Sequence, residues 1–337
     1  MQMKKNLLIA FAAMLFAVGC QKNQTAENPG DELETLATAD RAAISIDEIY
    51  ERCAADHVLK QQLKDNPGFA KRRQDIENFT NRIASDPSFR LAAGGIIEIP
   101  VVVNVLYNNA AEDISLAQIQ TQIDVLNADF SAANSDYDLT PAIYQGLRSD
   151  DFSIRFVLSN VVRKSSKKKS WRPDDSMKFS KKGGINATDP QTTLNIWVCN
   201  LSNSLLGYAQ FPGGNPASDG VVCDTQAFGT TGTAQSPFNK GRTATHEVGH
   251  WLNLYHIWGD DGSACTGSDQ VADTPNQAGY NFGCPTFPKV TCNNQGDMSM
   301  NYMDYTDDGC MYMFTAGQKA RALAIFAAGG PRAAFAQ

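Results

Sequence analysis

The sequence predicts an α/β (α+β) domain in which helices pack against a twisted, mixed sheet. Residues 96–108, IIEIPVVVNVLYN, are rich in β-branched side chains and indicate a first, mostly buried strand. In residues 115–130, Ser115 is a candidate N-cap for an amphipathic helix. Its apolar face consists of Leu116, Ile119, Ile123, Leu126 and Phe130. Further strands are predicted at 152–162, 193–201 and 220–224, which gives a β-α-β-β-β order.

Bulk composition favours one sizeable domain with processing segments, in a chain of 337 residues. The net charge of −7 argues against a nucleic-acid binder. Residues 163–182 nevertheless hold nine Lys and Arg against two Asp, which suggests a nucleic-acid or membrane patch or, alternatively, a solvated loop. The loop is favoured because the block has no repeated aromatic platform. No nucleic-acid partner is expected.

The N-terminus has the layout of a secretory signal. Lys4 and Lys5 precede an apolar run over 7–18, too short to span a bilayer as a mature helix. Cys20 follows Ala17-Val18-Gly19 and resembles a bacterial lipobox, although leucine is usual where Ala17 stands. The alternative is ordinary signal cleavage beside an incidental cysteine. We expect an exported protein, lipid-anchored in a bacterial envelope, secreted after processing, or both, with membrane contact only through a lipid at Cys20.

Composition divides the chain into four parts. Residues 1–19 are assigned to the signal peptide, and the polar, acidic residues 20–43 to a lipidated, flexible tether. Residues 44–83 show helical apolar spacing with a break at Asn66-Pro67-Gly68, which predicts one or two helices outside the main domain, and the boundary is expected within 84–95. The main domain is placed at 93–337. Arg82 and Arg90 are candidate processing points near this boundary.

Residues 246–256, HEVGHWLNLYH, carry the chemistry. On a helix His246 and His250 project from one face and can bind one cation, for which zinc suits the nitrogen ligands. Glu247 lies one position round the helix, close to the remaining coordination position. A water molecule there would have its pKa lowered towards neutrality, and the glutamate could take its proton as general base. The motif therefore predicts metal-assisted amide hydrolysis.

His256, as a third ligand, requires a sharp turn after His250. Asn253 stands where the helix must end, and asparagine is, after glycine, the residue that best tolerates the left-handed conformation such a turn needs. The chain has only four histidines, so this spacing is rarely a coincidence. The fourth, His57, is assigned no role.

Together these residues resemble the pappalysin family of metzincin zinc metallopeptidases, particularly its bacterial secreted branch. The matching stretches cover most of the chain and include LNIWVCNLSNSLLGYAQFPGG, GRTATHEVGHWLNLYHIWGD and MNYMDYTDDGCMYMFTAGQKARAL. The resemblance implies a zincin/metzincin fold with an active-site helix and an irregular, disulfide-stapled C-terminal subdomain. It makes 44–92 an inhibitory prosegment and 93–337 the catalytic domain. The family motif normally has glycine where Asn253 stands.

The resemblance also implies roles near the end of the chain. Met303 would form a hydrophobic base under the metal, and Tyr305 would donate a hydrogen bond to the oxyanion of the tetrahedral intermediate. Met300-Asn301-Tyr302 has the same spacing, but the register with Met303 places Asp308 and Cys310 at family positions. Asp308 would lie at the bottom of the primed-side pocket and favour Arg or Lys just after the scissile bond. Without the resemblance, Asp307 and Asp308 would be interpreted as a polar turn.

The cysteines fit an exported protein, because an oxidising compartment permits disulfides. By resemblance, the disulfides are Cys265–Cys292 and Cys284–Cys310. Cys199 and Cys223 lie on predicted strands and either pair or remain buried thiols.

Cys53 follows Arg52 and, by resemblance, forms a cysteine switch in the latent enzyme. Its thiolate would take the open zinc position until cleavage removes the prosegment. The alternative is a helical core cysteine. The resemblance further implies a structural calcium bound by Asp269, Asp273 and Thr274, since hard oxygen ligands suit calcium.

The expected function is therefore that of a latent, exported zinc endopeptidase acting on proteins or peptides, and a monomer is expected. Two alternatives stay open at this point. One is a zinc hydrolase acting on non-protein amides or on amino-terminal residues only. The other is a catalytically silent, lipid-anchored binding protein, against which Glu247 and Tyr305 count.

Overall fold

The structure, a computed structural model, describes residues 52–86 and 95–336. The predicted signal peptide at 1–19, the tether at 20–43 with Cys20, and Arg90 lie outside these ranges. Within the described ranges, no helix combines the length and the apolar composition needed to cross a membrane.

Two helices precede the main domain, as the helical spacing predicted. Helix α1 spans Ala55–Asp65 and helix α2 spans Pro67–Ala84. The break falls at Asn66, whose extended backbone (φ −136°, ψ 90°) ends the first helix. Pro67 then begins the second, at the position where a missing N–H costs nothing. Phe69 and Thr80 on α2 are buried against the rest of the protein.

The main domain contains a five-stranded mixed sheet in the order β2-β1-β3-β5-β4. Its strands are β1 (Ile97–Tyr107), β2 (Ile154–Ser165), β3 (Leu194–Cys199), β4 (Gly207–Ala209) and β5 (Val221–Asp224). Strands β2, β1, β3 and β5 are parallel, whereas β4 runs antiparallel to β5 at the edge. The mixed α/β sheet is confirmed. Strand β4 was not predicted, because three residues are too few to show an alternating pattern.

Helix α3, Leu116–Phe130, packs against the sheet, and Ser115 caps it by accepting a hydrogen bond from the Gln118 amide. Ile119, Ile123, Leu126 and Phe130 are buried in the main core, as predicted. Leu116 was wrongly placed with them, since it is 59% exposed. At 100° per residue it lies roughly 50° around the helix axis from the mean of the other four, at the rim of the buried face.

The basic block at 163–182 is not simply a solvated loop. Arg163 and Lys164 belong to β2, while Trp171 and Met177 enter a second core on the sheet face opposite the main one, against Trp197. Lys178 is fully buried: its ammonium donates to the Ser218 carbonyl at 2.8 Å and pairs with Asp175 at 2.9 Å. Part of the block therefore packs on the sheet, while other lysines of the block are exposed to solvent.

The C-terminal half contains helix α4 (Arg242–Trp251) and helix α5 (Ala316–Ala324). Between them, residues 257–315 form one short 3₁₀ helix, Asp308–Cys310, and otherwise irregular chain. Disulfides join Cys265 to Cys292 and Cys284 to Cys310, which confirms both predicted bridges. Such bridges compensate for the few regular backbone hydrogen bonds of this region. Cys199 and Cys223, on the neighbouring strands β3 and β5, are buried free thiols.

Candidate active site

Helix α4 carries the first two histidines and is buried along its whole length. Gly241 precedes it in the left-handed conformation (φ 74°), which turns the chain into the helix. The carboxylate of Asp308 accepts hydrogen bonds from the Lys240 amide at 2.8 Å and the Arg242 amide at 3.2 Å. A negative charge at the start of a helix satisfies its free N–H groups and complements its dipole.

The turn after α4 depends on Asn253. Its φ of 74° places it in the left-handed region, as predicted from its position in the motif. The Asn253 amide donates to the His250 carbonyl at 2.9 Å, and the Leu254 amide donates to the Gly249 carbonyl at 2.9 Å. This reversal returns His256 to the other two histidines. The Nε2 of His250 lies 3.1 Å from that of His246 and 3.0 Å from that of His256.

Each histidine is held through its other ring nitrogen. Nδ1 of His246 lies 2.6 Å from the Tyr302 carbonyl, and Nδ1 of His250 lies 2.8 Å from the Leu254 carbonyl. Nδ1 of His256 lies 2.6 Å from the Asp260 carboxylate. Carbonyl and carboxylate oxygens only accept, so each Nδ1 carries a proton, and in a neutral ring Nε2 then presents a lone pair. Burial also lowers the pKa of His246 and His250 well below its usual value, which favours neutral rings.

Cys53 joins this group from the segment before α1. Its sulfur and the three histidine nitrogens all lie within 4.8 Å of one another, and all four residues are buried. The sulfur also lies 3.3 Å from Oε2 of Glu247. Burial raises the pKa of Cys53 well above its usual value and that of Glu247 to about 8. The arrangement therefore brings together four donors suited to a soft or borderline cation, with a carboxyl group beside them.

Met303 and Tyr305 both reach the site. A Cβ on Gly249 would lie 2.4 Å from the Met303 sulfur, so the glycine lets this methionine pack directly against α4. The Tyr305 hydroxyl donates to the Cys53 carbonyl at 3.1 Å. In the Met300 register, the tyrosine would be Tyr302, whose hydroxyl instead accepts from the Arg242 guanidinium at 2.5 Å. The structure therefore brings the Met303 register, rather than the Met300 register, to the histidines.

Asp308 closes a pocket that Arg52 fills. The carboxylate is fully buried, and its Oδ1 lies 3.5 Å from the Arg52 guanidinium. The same guanidinium donates to the Tyr305 carbonyl at 2.6 Å, and its central carbon lies 4.2 Å from the ring centroid of Phe238. Phe238, Asp308 and the Tyr305 carbonyl are called the specificity pocket below. The aromatic face of Phe238, the carboxylate of Asp308 and the carbonyl of Tyr305 match the shape and hydrogen bonding of an arginine side chain.

The three residues predicted to bind calcium divide into two groups. Asp269 accepts from Thr274 Oγ1 at 2.8 Å, and burial raises the pKa of this aspartate to about 7. Asp273 is instead bound to the start of α5, where it accepts from Thr315 Oγ1 at 2.6 Å and from the Gly317 amide at 2.8 Å. Asp269 and Thr274 therefore lie together, and the carboxylate of Asp273 is engaged elsewhere.

Sequence reasoning missed several residues that hold the site. The Trp258 ring stacks on that of His256, with centroids 4.3 Å apart and planes 7° from parallel, and Asp260 fixes the same imidazole. A Cβ on Gly207 in β4 would lie 2.9 Å from Glu247 Cγ, so this glycine leaves room for the glutamate. The one available signal was an aspartate four residues after the third histidine. The remaining contacts join residues far apart in the chain.

We expect Asp260→Gly to weaken metal binding by about 10–100-fold, because His256 loses the acceptor that fixes its tautomer and ring orientation. Asp260 has φ 55°, and glycine keeps that conformation while removing the carboxylate. The matched control is Asp260→Asn, which retains an acceptor oxygen. Competition with a chromogenic zinc chelator measures the affinities. An affinity of Asp260→Gly equal to that of the unaltered chain would contradict the role of Asp260.

Comparison with known proteins identifies the family to which this chain is similar. The sequence profile of peptidase family M43, described as pregnancy-associated plasma protein-A, matches residues 185–327. An extracellular metalloprotease of Arthroderma benhamiae is 35% identical over 236 residues, which are 68% of this chain and 77% of that protein.

Two solved structures from Tannerella forsythia are also similar. Mature mirolysin in complex with a cleaved peptide is 50% identical, with a TM-score of 0.70 over 71% of this chain and 95% of that chain. A promirolysin mutant is 45% identical, with a TM-score of 0.76 over 85% of this chain and 97% of that chain. These relatives share both the sequence and the fold of the domain that carries the histidines. The chain therefore belongs to peptidase family M43, the pappalysins, and is a metallopeptidase.

Proposed function

We propose that this chain is the exported, latent precursor of a zinc-dependent endopeptidase that prefers Arg or Lys directly after the scissile bond. The observation that carries the proposal is the joint position of Arg52 and Cys53. The Cys53 sulfur lies with the three histidines, and the Arg52 side chain fills the specificity pocket. One dipeptide thus occupies both the metal centre and the pocket beside it.

The donor set fits zinc. Nε2 of His250 lies 3.0–3.1 Å from those of His246 and His256, and such nitrogens of neutral rings repel one another unless a cation lies among them. His246, His250 and His256 would hold the ion, and Cys53 would be its fourth ligand in the latent form. Bound zinc would supply a Lewis acid that polarises the substrate carbonyl. It would also lower the pKa of water, so that water can lose a proton and attack the carbonyl carbon.

Glu247 and Tyr305 are the proposed catalytic residues. Glu247 would take a proton from the attacking water as its oxygen bonds to the carbonyl carbon, and would deliver it to the nitrogen as the C–N bond breaks. One water is consumed, and a carboxylic acid and an amine result. Tyr305 would donate to the oxygen that becomes negative in the tetrahedral intermediate. Its bond to the Cys53 carbonyl supports this role, because a peptide carbonyl already accepts from it in the latent form.

The prosegment also occupies the sheet edge beside the site. The amides of Leu206 and Gly207 both donate to the Arg52 carbonyl, at 3.0 and 3.2 Å, and the Ala54 amide donates to the Gly207 carbonyl at 3.1 Å. These bonds take the free edge of β4, where an extended substrate could otherwise add as a strand. The similarity to promirolysin covers 85% of this chain and that to mature mirolysin 71%, which supports a prosegment in the N-terminal part.

The proposal also covers export, acylation of Cys20, the oligomeric state and the class of substrate. Export is supported by the extracellular relatives and by the signal-like N-terminus. Acylation of Cys20, a residue outside the described ranges, would anchor the precursor, and absence of labelled fatty acid from the precursor would refute it. A monomer acting on proteins or peptides is proposed as well, and the cleaved peptide bound by mature mirolysin supports peptide substrates.

We expect Cys53→Ala to weaken latency without releasing the prosegment, because removal of the thiol frees the fourth position at the metal while the other prosegment contacts remain. The purified, uncleaved precursor should gain casein-hydrolysing activity of at least about tenfold. Cys199→Ala removes another buried thiol and serves as the control, which should stay latent. An activity of the zinc-bound Cys53→Ala precursor no higher than that of the unaltered precursor would refute the switch.

We expect Asp308→Asn to remove the preference for a basic residue after the scissile bond. Loss of one partner from a buried charge pair costs about 2–5 kcal/mol, or roughly 30-fold to several thousand-fold in kcat/KM for Arg peptides. Asp307→Asn alters the neighbouring carboxylate, outside the pocket, and should keep the preference. A library of peptides that differ only at this position provides the measurement. An unchanged Arg to Leu ratio in Asp308→Asn would contradict the assignment.

We also propose a calcium site at Asp269 and Thr274. A ligand at 100 times its dissociation constant stabilises a protein by about 2.7 kcal/mol, which for a domain of this size raises the melting temperature by roughly 5–10 °C. Chelation should lower the melting temperature by that amount, and calcium should restore it where zinc alone does not. Full recovery with zinc alone would argue against the site, and Asp269→Asn should remove the calcium response.

A further inference from the structure

We propose that helix α2 binds the catalytic domain independently of Cys53, so that residues 52–86 stay on the enzyme as a noncovalent inhibitor after the chain is cut between 86 and 95. The surface that holds α2 is called the latch surface: Phe211, Pro212, Asn253, Tyr255 and Arg321. Its occupant is this chain's own prosegment. The inference rests on the proposed function, in which residues 52–86 keep the enzyme latent.

Arg73 makes the first set of contacts. Its guanidinium donates to the Pro212 carbonyl at 3.2 Å, to Asn253 Oδ1 at 2.8 Å and to the Tyr255 hydroxyl at 2.7 Å. The same group lies over the Phe211 ring, 5.1 Å from its centroid. The residue is only 6% exposed. A long cationic side chain is rarely buried to this degree unless its donors are satisfied, and here the latch surface supplies the acceptors.

Glu77, one turn further along α2, makes the second set. Its Oε2 accepts from the Arg321 guanidinium at 2.6 Å, and its Oε1 accepts from Tyr255, Asn253 and Arg73. Arg321 belongs to α5 and is 2% exposed. Its Nε donates to the Asn253 carbonyl at 2.8 Å. Glu77 is therefore the partly buried counter-charge of a buried arginine that belongs to the catalytic domain.

Asn253 connects this latch surface to the metal loop. Its backbone forms the left-handed turn between His250 and His256, and its side chain offers Oδ1 to Arg73 and Nδ2 to Glu77. Glycine, the usual residue at this position in the family, would form the same turn but offer no side-chain contact. The asparagine of this chain thus adds a binding group for α2 at a position that otherwise serves only the backbone.

Apolar contacts accompany the polar ones. Phe69 is 1% exposed and Thr80 is fully buried, on the same helix. Gly213 permits this approach, since a Cβ there would lie 2.5 Å from Ile76 Cδ1. The hydrogen bonds of Arg73 and Glu77 described above go to residues other than Cys53 and Arg52. The helix is therefore attached through buried charge, hydrogen bonds and apolar surface that cleavage between 86 and 95 leaves intact.

The experiment uses the full chain with Glu247→Ala, which prevents self-cleavage, and with residues 87–94 replaced by the recognition sequence of a site-specific protease. After cutting, gel filtration under native conditions measures the fraction of the N-terminal fragment, which contains residues 52–86, that co-elutes with the catalytic domain. Dilution series give its dissociation constant. Because catalysis is absent, the result is independent of whether the proposed activity and switch are correct.

Cys53→Ala should leave the fragment bound. Glu77→Ala should raise the dissociation constant by at least about 100-fold, because Arg321 and Arg73 lose a buried partner. The matched control is Lys71→Ala, which breaks the solvent-exposed pair with Asp75 on the same helix and should change the constant by less than about fivefold. Glu77→Gln, of nearly unchanged shape, tests the charge without a cavity and should also release the fragment. Zinc content shows that each catalytic domain is folded.

Two results would overturn the inference. One is release of the fragment by Cys53→Ala as complete as that by Glu77→Ala, which would mean that the sulfur holds the prosegment. The other is an effect of Glu77→Ala and Glu77→Gln no larger than that of Lys71→Ala. Failure of Cys53→Ala to activate the precursor would instead refute the switch and leave this measurement unaffected.

Discussion

The Nε2 atom of His250 lies 3.0–3.1 Å from those of His246 and His256, and this close approach is the constraint on which the site depends. Their lone pairs repel, so the rings must be held in place from outside, each through its Nδ1 proton. The acceptors come from three different places: the carbonyl of Tyr302, the carbonyl of Leu254 and the carboxylate of Asp260. Three separate segments therefore serve one geometric requirement: the turn at Asn253, the segment that contains Tyr302 and the irregular loop that contains Asp260.

Arg242 joins these parts. Its amide binds Asp308 at the specificity pocket, while its guanidinium donates to the Tyr302 hydroxyl and pairs with Asp136 and Asp129. Burial raises the pKa of Asp129 to about 6, which marks how far this network is removed from water. Buried charges are costly unless they are fully paired, so such a network restricts the chain to one arrangement. This network thereby fixes the relative positions of α4, the specificity pocket and the segment that contains Tyr302.

The latent form uses the recognition features of the enzyme itself. Arg52 enters the pocket that Asp308 closes, the Cys53 carbonyl accepts from Tyr305, and the Arg52 carbonyl binds the edge of β4. The prosegment therefore resembles a substrate in its contacts, with a thiol near the metal in place of a scissile bond. Helix α2 adds contacts that no substrate position explains, which is why its surface is treated as a separate attachment.

The sequence by itself determined the parts that are local. The spacing of HEVGHWLNLYH defines which nitrogens share a helix face, and the left-handed tolerance of asparagine identifies the turn at Asn253, because both follow from backbone geometry over a few residues. Resemblance to the family extended this to Met303, Tyr305, Asp308 and the two disulfides. The apolar spacing of α3 identified its buried face but not its limit, since Leu116 satisfies the pattern and is exposed.

Only the tertiary structure decided which distant residues meet. Strand β4 is too short to show a pattern, yet pairing with β5 makes it the edge that the prosegment occupies. Glu77 and Arg321 are far apart in the chain, yet they form an ion pair. The local sequence around each of them does not distinguish it from an ordinary solvent-exposed charged residue. A charged side chain acquires its role from the groups that surround it after folding, and local sequence contains no record of those groups.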